Sequence, residues 1–455
     1  MLTYSLKKAP GVPLYEALYR CIRRDILNGT LNPGEKLPSK RSLAQNLEVS
    51  KITVEAAYNQ LLEEGYIRAK EKVGYFVEYV EHSIPAEKPA CREPEPQEEE
   101  PVGAGHFPFS VWSRLQREVM LDYGQKLLKP MPNRGIPELR QAIAGHLADF
   151  RGMEVDPQNI LIGAGTDFLY NVLIQLLGRE KIYAVEDPGY EKIRKIYDAG
   201  GVTTVSALLD QNGVRPDSLG GARVLHISPS HHFPSGLVTP LSRRRELLDW
   251  ARRQNAWIIE DDYDSEFRFD AHPMPAMQSL DGQRVIYMNS FSKSLSPSIR
   301  ISYMVFPAAL MEKFQRDLGF YSCTVPSFEQ YTLARFLSRG FFEKHINRMR
   351  KFYKKERNLA ISRLQSWKYA EKLTIYEQNA GLHFIVKVDT GLSDEEMGRI
   401  FENSGVPIRC LTDYYHGKNH RDLHCLVVNY AEFRENMMEK ALEALGEVLQ
   451  KKPEL

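Results

Sequence analysis

Between residues 160 and 306 apolar residues come in short, nearly unbroken runs: 160-ILIGAG, 181-KIYAVED, 202-VTTVSA, 223-RVLHIS, 256-AWIIEDD, 284-RVIYMNS and 301-ISYMVF. Runs that are continuous rather than alternating suit strands buried on both faces of a mainly parallel sheet. Stretches with helical periodicity, such as 165-GTDFLYNVLIQLLGR and 242-SRRRELLDWARRQN, lie between them. The spacing therefore predicts an α/β domain. From about residue 340 to 455 the pattern turns helix-rich, with later strands at 382-LHFIVKV and 423-LHCLVVNYA, which predicts a smaller α+β lobe.

The first eighty residues follow another pattern. Leu14, Leu18, Ile22 and Ile26 repeat every four positions and form one helix face. In 38-PSKRSLAQNLEVSKITVEAAYNQLLEEGYI, Ser39 is the expected N-cap of a short helix burying Leu43, Ala44 and Leu47. Ser50 caps a second helix that buries Val54, Ala57 and Leu61, and the few residues between form a tight turn. Then 66-YIRAKEKVGYFVEYV reads as two strands around a basic tip, a wing.

Composition adds a boundary. From Glu81 to Pro101 the chain holds seven glutamates and five prolines with almost nothing apolar, the mark of an extended tether. The expected organisation is a winged helix-turn-helix over 1–80, a linker over 81–105, and a larger domain over 106–455 with its small lobe at about 340–455. The net charge of +1 says nothing about an acidic partner, so any such argument is local. Residues 1–80 carry 12 Lys and Arg against 9 Asp and Glu, concentrated at Lys36, Lys40, Arg41, Lys51, Lys70 and Lys72. Local cations contact phosphates, and small polar residues at a helix start, here Ser39, Ser50 and Thr53, approach base edges. Five scattered cysteines without a C-x-x-C pair fit neither a disulfide framework nor a zinc site, and no metal is expected. With no apolar segment long enough to span a bilayer, a cytoplasmic protein without a membrane partner is expected.

Three strand ends carry the chemistry that an aldehyde cofactor with a phosphate requires. Lys293 follows 285-VIYM, flanked by Ser290 and Ser292, with Arg300 beyond. A lysine amine condenses with an aldehyde, and hydroxyls with an arginine fork hold phosphate. Asp261 follows 257-WIIE and is placed to face a pyridine nitrogen; Tyr263 is placed to bond the ring hydroxyl. In 163-GAGTD, Gly165 and Thr166 open a helix whose N–H groups can face phosphate. From a fourth strand end, Tyr190 in 187-DPGY is a candidate to stack on the ring. Each signal alone is weak; their position at the ligand-binding edge of an open α/β sheet is the argument. It points to pyridoxal phosphate (PLP).

Two resemblances cover nearly the whole chain apart from the tether. The run from Leu37 to Ile67 resembles the winged helix-turn-helix of GntR-type regulators, with Lys51 where that family usually has arginine. The runs 133-NRGIPELRQAIAGHL, 187-DPGY, 228-SPSHHFPSG, 260-EDDYDSEFRF and 291-FSKSLSPSIRISY resemble fold-type I aminotransferases and, within them, MocR-type regulators. The resemblance implies that Lys293 anchors PLP, that Asp261 pairs with its ring nitrogen, and that Arg300 and Ser292 hold its phosphate. It also implies operator DNA as a partner and a head-to-tail homodimer, each winged helix lying against the partner's large domain. Two positions depart from aminotransferases: Phe233 precedes 234-PSG where asparagine is usual, and Val427 replaces the arginine that clamps an α-carboxylate. Arg409, in 406-VPIRCLTDYY, is the candidate to substitute for it. Three functions remain open here: a regulator sensing PLP or an amino compound, an active aminotransferase with an appended DNA-binding domain, and a DNA-binding protein with a dimerisation scaffold. No residue is assigned a catalytic role, and PLP is the favoured effector, with vitamin B6 metabolism as the output.

Overall fold

The computed structural model describes residues 4, 13–71, 73–78, 106–269, 274–376, 381–417, 421–433 and 437–451. The chain divides into two compact units, Met1–Glu99 and Glu100–Leu455. The predicted tether at 81–105 and Lys72 lie outside the described residues.

In the smaller unit α1 (Leu14–Leu27), α2 (Lys40–Asn46) and α3 (Lys51–Glu63) precede a hairpin of β1 (Ile67–Lys70) and β2 (Gly74–Val77). Ser39 and Ser50 cap α2 and α3, their side-chain oxygens accepting the N–H groups of Ser42 and Thr53 at 3.1 Å. Leu18, Ile22, Val54, Ala57 and Leu61 close one core with Ile67 and Val77 of the hairpin. Leu14, expected on that face, is only half-buried at the first turn.

The larger unit begins with α4 (Phe109–Tyr123) and α5 (Pro137–Arg151). Strands and helices then alternate: β3 (Ile160–Gly163), α6 (Thr166–Leu177), β4 (Ile182–Asp187), α7 (Glu191–Ala199), β5 (Thr203–Asp210) and β6 (Gly213–Val214). They continue as β7 (Val224–Ile227), α8 (Leu241–Gln254), β8 (Trp257–Asp261), α9 (Met277–Leu280), β9 (Val285–Ser290), α10 (Phe291–Ser294) and β10 (Ser302–Val305), followed by α11 (Ala308–Leu318) and α12 (Ser327–Ser338). The strands join in the order β3-β10-β9-β8-β7-β4-β5-β6. All seven predicted strands are present, and separate apolar clusters bury both faces of all of them except β5, which is largely half-buried or exposed. That double burial is why the sequence shows unbroken apolar runs.

The small lobe holds α13 (Phe341–Gln365), β11 (Leu373–Tyr376), β12 (Phe384–Val388), α14 (Asp394–Ser404), β13 (Arg409–Cys410), β14 (Cys425–Val428) and α15 (Met437–Gln450). Its strands form an antiparallel sheet in the order β11-β12-β14-β13. Strands β6 and β13 are two residues long, too short to carry a pattern.

Strand β10 runs antiparallel to both neighbours, and Ser302 pairs with Ser290 of β9 and with Gly163 of β3. The start of β10 therefore shares an edge with the carboxyl ends of β3 and β9. This register gathers residues 163–166, 290–293 and 300–302, which are far apart in the chain.

Candidate functional site: a cavity at the strand ends

At that edge a cavity of about 590 Å³ is lined by Thr166, Tyr190, Asp261, Tyr263, Ser290, Ser292, Lys293 and Arg300, and by Leu382, His383 and Tyr414 of the small lobe. Gly165 caps α6 with φ of 87°, and a Cβ there would come within 2.4 Å of Arg300 Nη2. Only glycine allows the guanidinium to lie this close to the helix start. Ser302 donates to Ser290 Oγ at 2.8 Å, and Ser290 to Ser292 Oγ at 2.9 Å, so the hydroxyls form a chain leading to the cavity.

Asp261 is buried. Its Oδ2 accepts the Tyr170 hydroxyl at 2.8 Å and lies 3.5 Å from His226 Nε2, while Tyr197 Oη lies 2.7 Å from His226 Nδ1. Burial, then the nearby Asp261 charge, holds the Tyr170 hydroxyl well above its ordinary pKa, so it stays a donor at neutral pH. Asp261 Oδ1 is buried with no hydrogen-bond partner among the described residues. A buried carboxylate oxygen left unpaired is costly, and a protonated ring nitrogen in the cavity would satisfy it. The donors around Arg300 likewise suit a phosphate. The residues fit PLP.

Tyr190 is 51% exposed, its ring edge-on to Phe233 at 6.0 Å. Phe233 also meets His383 and Tyr414 edge-on at 5.2 and 5.1 Å, so the residue standing where aminotransferases carry asparagine joins an aromatic wall. Tyr263 Oη lies 3.3 Å from His231 Nδ1, which in turn is 2.7 Å from Asp264 Oδ2. Burial pushes the His383 imidazole well below the usual histidine range, so this member of the wall is uncharged at neutral pH.

The structure does not bring Arg409 to the cavity. It is exposed on edge strand β13, directly opposite Val427, whose other cross-strand neighbour is Ile385. Val427 itself is buried.

In the smaller unit Arg41 and Lys51 are exposed, Thr53 is half-buried, and Ser50 Oγ lies 2.8 Å from Thr53 Oγ1 within the cap. Lys40 is tied down: its Nζ donates to Glu55 at 2.8 Å and sits 5.3 Å from the Tyr75 ring centroid. It braces α2 against α3 and the wing. Lys70, exposed on β1, lies over Phe76 at 5.0 Å.

Three things were missed from the sequence: the Tyr170–Asp261–His226–Tyr197 cluster, the aromatic wall, and the buried ion pair of Arg151 with Asp262, the residue next to Asp261. Among the partners not named from the sequence, Tyr170 carried a signal, being one helical turn beyond Thr166 on α6.

Comparison with known proteins accounts for both units. The profile of bacterial regulatory proteins of the gntR family matches residues 14–77, and that of aminotransferase class I and II matches residues 99–445. The chain is 37% identical over 421 residues to the HTH-type transcriptional regulator YdeL of Bacillus subtilis (strain 168), covering 90% of this chain and 91% of the relative. It is 30% identical over 476 residues to the probable rhizopine catabolism regulatory protein MocR of Rhizobium meliloti, covering 97% and 94%. The larger unit shares its fold with an archaeal alanine:glyoxylate aminotransferase, with a TM-score of 0.67 at 21% identity over 76% of this chain and 88% of that one. A gntR-family winged helix followed by an aminotransferase class I and II domain, matched across nearly its whole length by HTH-type regulators, makes this chain a member of the MocR-type transcription regulators.

Proposed function

We propose that the larger unit holds PLP at Lys293 and that DNA binding by the winged helix responds to this occupancy, in the cytoplasm. The observation that carries the reading is the unpaired, buried Oδ1 of Asp261 in the wall of the cavity that also contains Lys293. When bound, PLP supplies an aldehyde that condenses reversibly with a primary amine. In this reading Asp261 holds a proton at the ring nitrogen, and Tyr170 and His226 hold Asp261. Arg300, Ser292 and the N–H groups of Gly165 and Thr166 orient the phosphate. Tyr263 faces the ring hydroxyl, and Tyr190 stacks on the ring. Ser290 supports Ser292.

The effector we favour is PLP itself. Val427 leaves no arginine at the position of an α-carboxylate clamp, and an unpaired carboxylate binds poorly in a partly buried site. Arg409 lies outside the cavity lining, which further weakens the case for an amino acid. Vitamin B6 metabolism is the output that follows. A homodimer reading two half-sites fits this scheme, and Leu121, Leu128 and Phe320, each 77% exposed, support a surface that another protomer covers.

On the DNA side we assign phosphate or groove contacts to Arg41, Lys51 and Lys70, and to Lys72 on sequence grounds alone. Ser39, Ser50 and Thr53 stand at helix starts, and Lys40 acts by bracing α2. The test is to footprint the protein on its own upstream DNA while titrating PLP at several salt concentrations. DNA affinity should change with PLP, and Arg41→Ala and Lys51→Ala should each reduce the slope of log affinity against log salt by about 0.9. A DNA affinity indifferent to PLP removes the sensing role. Unchanged slopes in both variants remove the assigned contacts.

A further inference from the structure

Beside the phosphate cup stands a carboxylate that the cofactor reading does not use. Asp167 is in the first turn of α6, next to Thr166. Lys192 Nζ lies 2.8 Å from its Oδ1 and 2.9 Å from its Oδ2, and Arg300 Nη2 lies 3.5 Å from Oδ2. All three residues line the cavity. Their side chains are 37% (Asp167), 49% (Lys192) and 53% (Arg300) exposed, so the cluster sits at the rim, open to solvent.

An acidic side chain in a first helical turn already neutralises part of the positive field of the helix start. Here the same carboxylate also draws on Arg300. An incoming phosphate must therefore share the guanidinium with Asp167 and approach a fixed negative charge. Lys192 works the other way, because its ammonium contacts both carboxylate oxygens and offsets their repulsion.

We infer that Asp167 and Lys192 set how readily the cup releases its ligand, Asp167 competing with phosphate for Arg300 and Lys192 holding Asp167 in check. This rests on the reading of Arg300 and the start of α6 as a phosphate cup. It deepens the sensor proposal, since a protein that reports PLP concentration needs a cofactor that exchanges. A plain structural role for the pair predicts that losing either partner weakens binding. Competition predicts opposite signs.

The experiment titrates full-length apo-protein with PLP, read by near-visible absorbance, for the wild type, Asp167→Asn and Lys192→Met. For a dianion facing one carboxylate in a water-like dielectric, D167N should tighten PLP by about tenfold and K192M should weaken it by about threefold, both effects shrinking at high salt. Pyridoxal, which lacks the phosphate, should change by less than about twofold in either variant. Equal or weaker PLP binding by D167N overturns the inference, and so does an equal shift for pyridoxal. If wild-type protein gives neither absorbance nor a borohydride-trapped adduct at Lys293, the cofactor reading itself has failed. Inorganic phosphate then decides the cup. Its stabilisation of the protein against heat should be larger in D167N than in wild type, and an equal or smaller gain sinks the competition.

Discussion

Lys293→Ala should abolish both the near-visible absorbance of the PLP-loaded protein and the adduct that borohydride traps. The effect is all-or-none because a covalent link needs a primary amine at the right place, and alanine offers none. Lys293 stands on α10, immediately after β9, in the cavity that also contains Asp261 and Arg300. The competing amine is Lys192 at the rim, which is occupied by Asp167. Peptide mapping of the reduced protein distinguishes them: label on Lys293 supports the assignment, and label on Lys192 or elsewhere ends it. Asp261→Ala should keep the amine but weaken retention by about 1–3 kcal/mol, since the ring nitrogen loses its buried charged partner. A variant at Asp261 that retains PLP as tightly as wild type would remove the role of the unpaired Oδ1.

The second large effect is on stability. Arg151 Nη2 lies 3.0 Å from Asp262 Oδ2, with side chains 2% and 0% exposed, and it also donates to Ser230 at 3.1 Å. Asp262 accepts the Tyr287 hydroxyl at 2.7 Å. Removing one member of a buried pair strands the other charge, at a cost of about 3–5 kcal/mol. Arg151→Ala should therefore lower the unfolding free energy of the larger unit, read from urea denaturation, by an amount of that order. Replacing both residues by apolar side chains of similar volume should recover much of the loss. A drop below about 1 kcal/mol in the single variant would show that water or another cation replaces the guanidinium.

The pair also gives a pH dependence of known sign. Burial alone would raise Asp262, but Arg151 first and the Tyr287 hydroxyl next hold it below the usual carboxylate range. A group whose pKa is lower folded than unfolded contributes stability above its unfolded pKa and loses it as pH falls through the folded one. Its contribution is thus present at neutral pH and lost on the acid side. In R151A that acid-side loss should shrink. Because Asp262 directly follows Asp261, the pair also anchors the strand end that carries Asp261, so on the proposed reading R151A should loosen PLP as well.

Much of the site was legible before any coordinates. Lys293, Asp261 and Gly165 each follow an apolar run, and in an open α/β sheet the carboxyl ends of strands share one edge. Arg300 required one thing more. It precedes its strand, and it reaches that edge only because β10 runs antiparallel between β3 and β9. Arg409 shows where the same logic fails. Its chain position near the small-lobe strands made it a candidate, but pairing with β14 puts it on an exposed edge. Lys40 is a second case, because charge clustering cannot tell a free cation from one held by Glu55 across the helix-turn-helix.

Sequence by itself determined the two folded units, the seven strands of the main sheet, the caps at Ser39 and Ser50, and the residue types at each strand end. These follow from local causes: apolar periodicity, capping chemistry and the glycine at position 165. Tertiary structure alone decided which side chains meet. Tyr170 lies 91 positions from Asp261, and Arg300 lies 133 from Asp167. Strand order and register set those distances, and both arise from burying all the sheet faces at once, a condition that no short stretch of sequence contains.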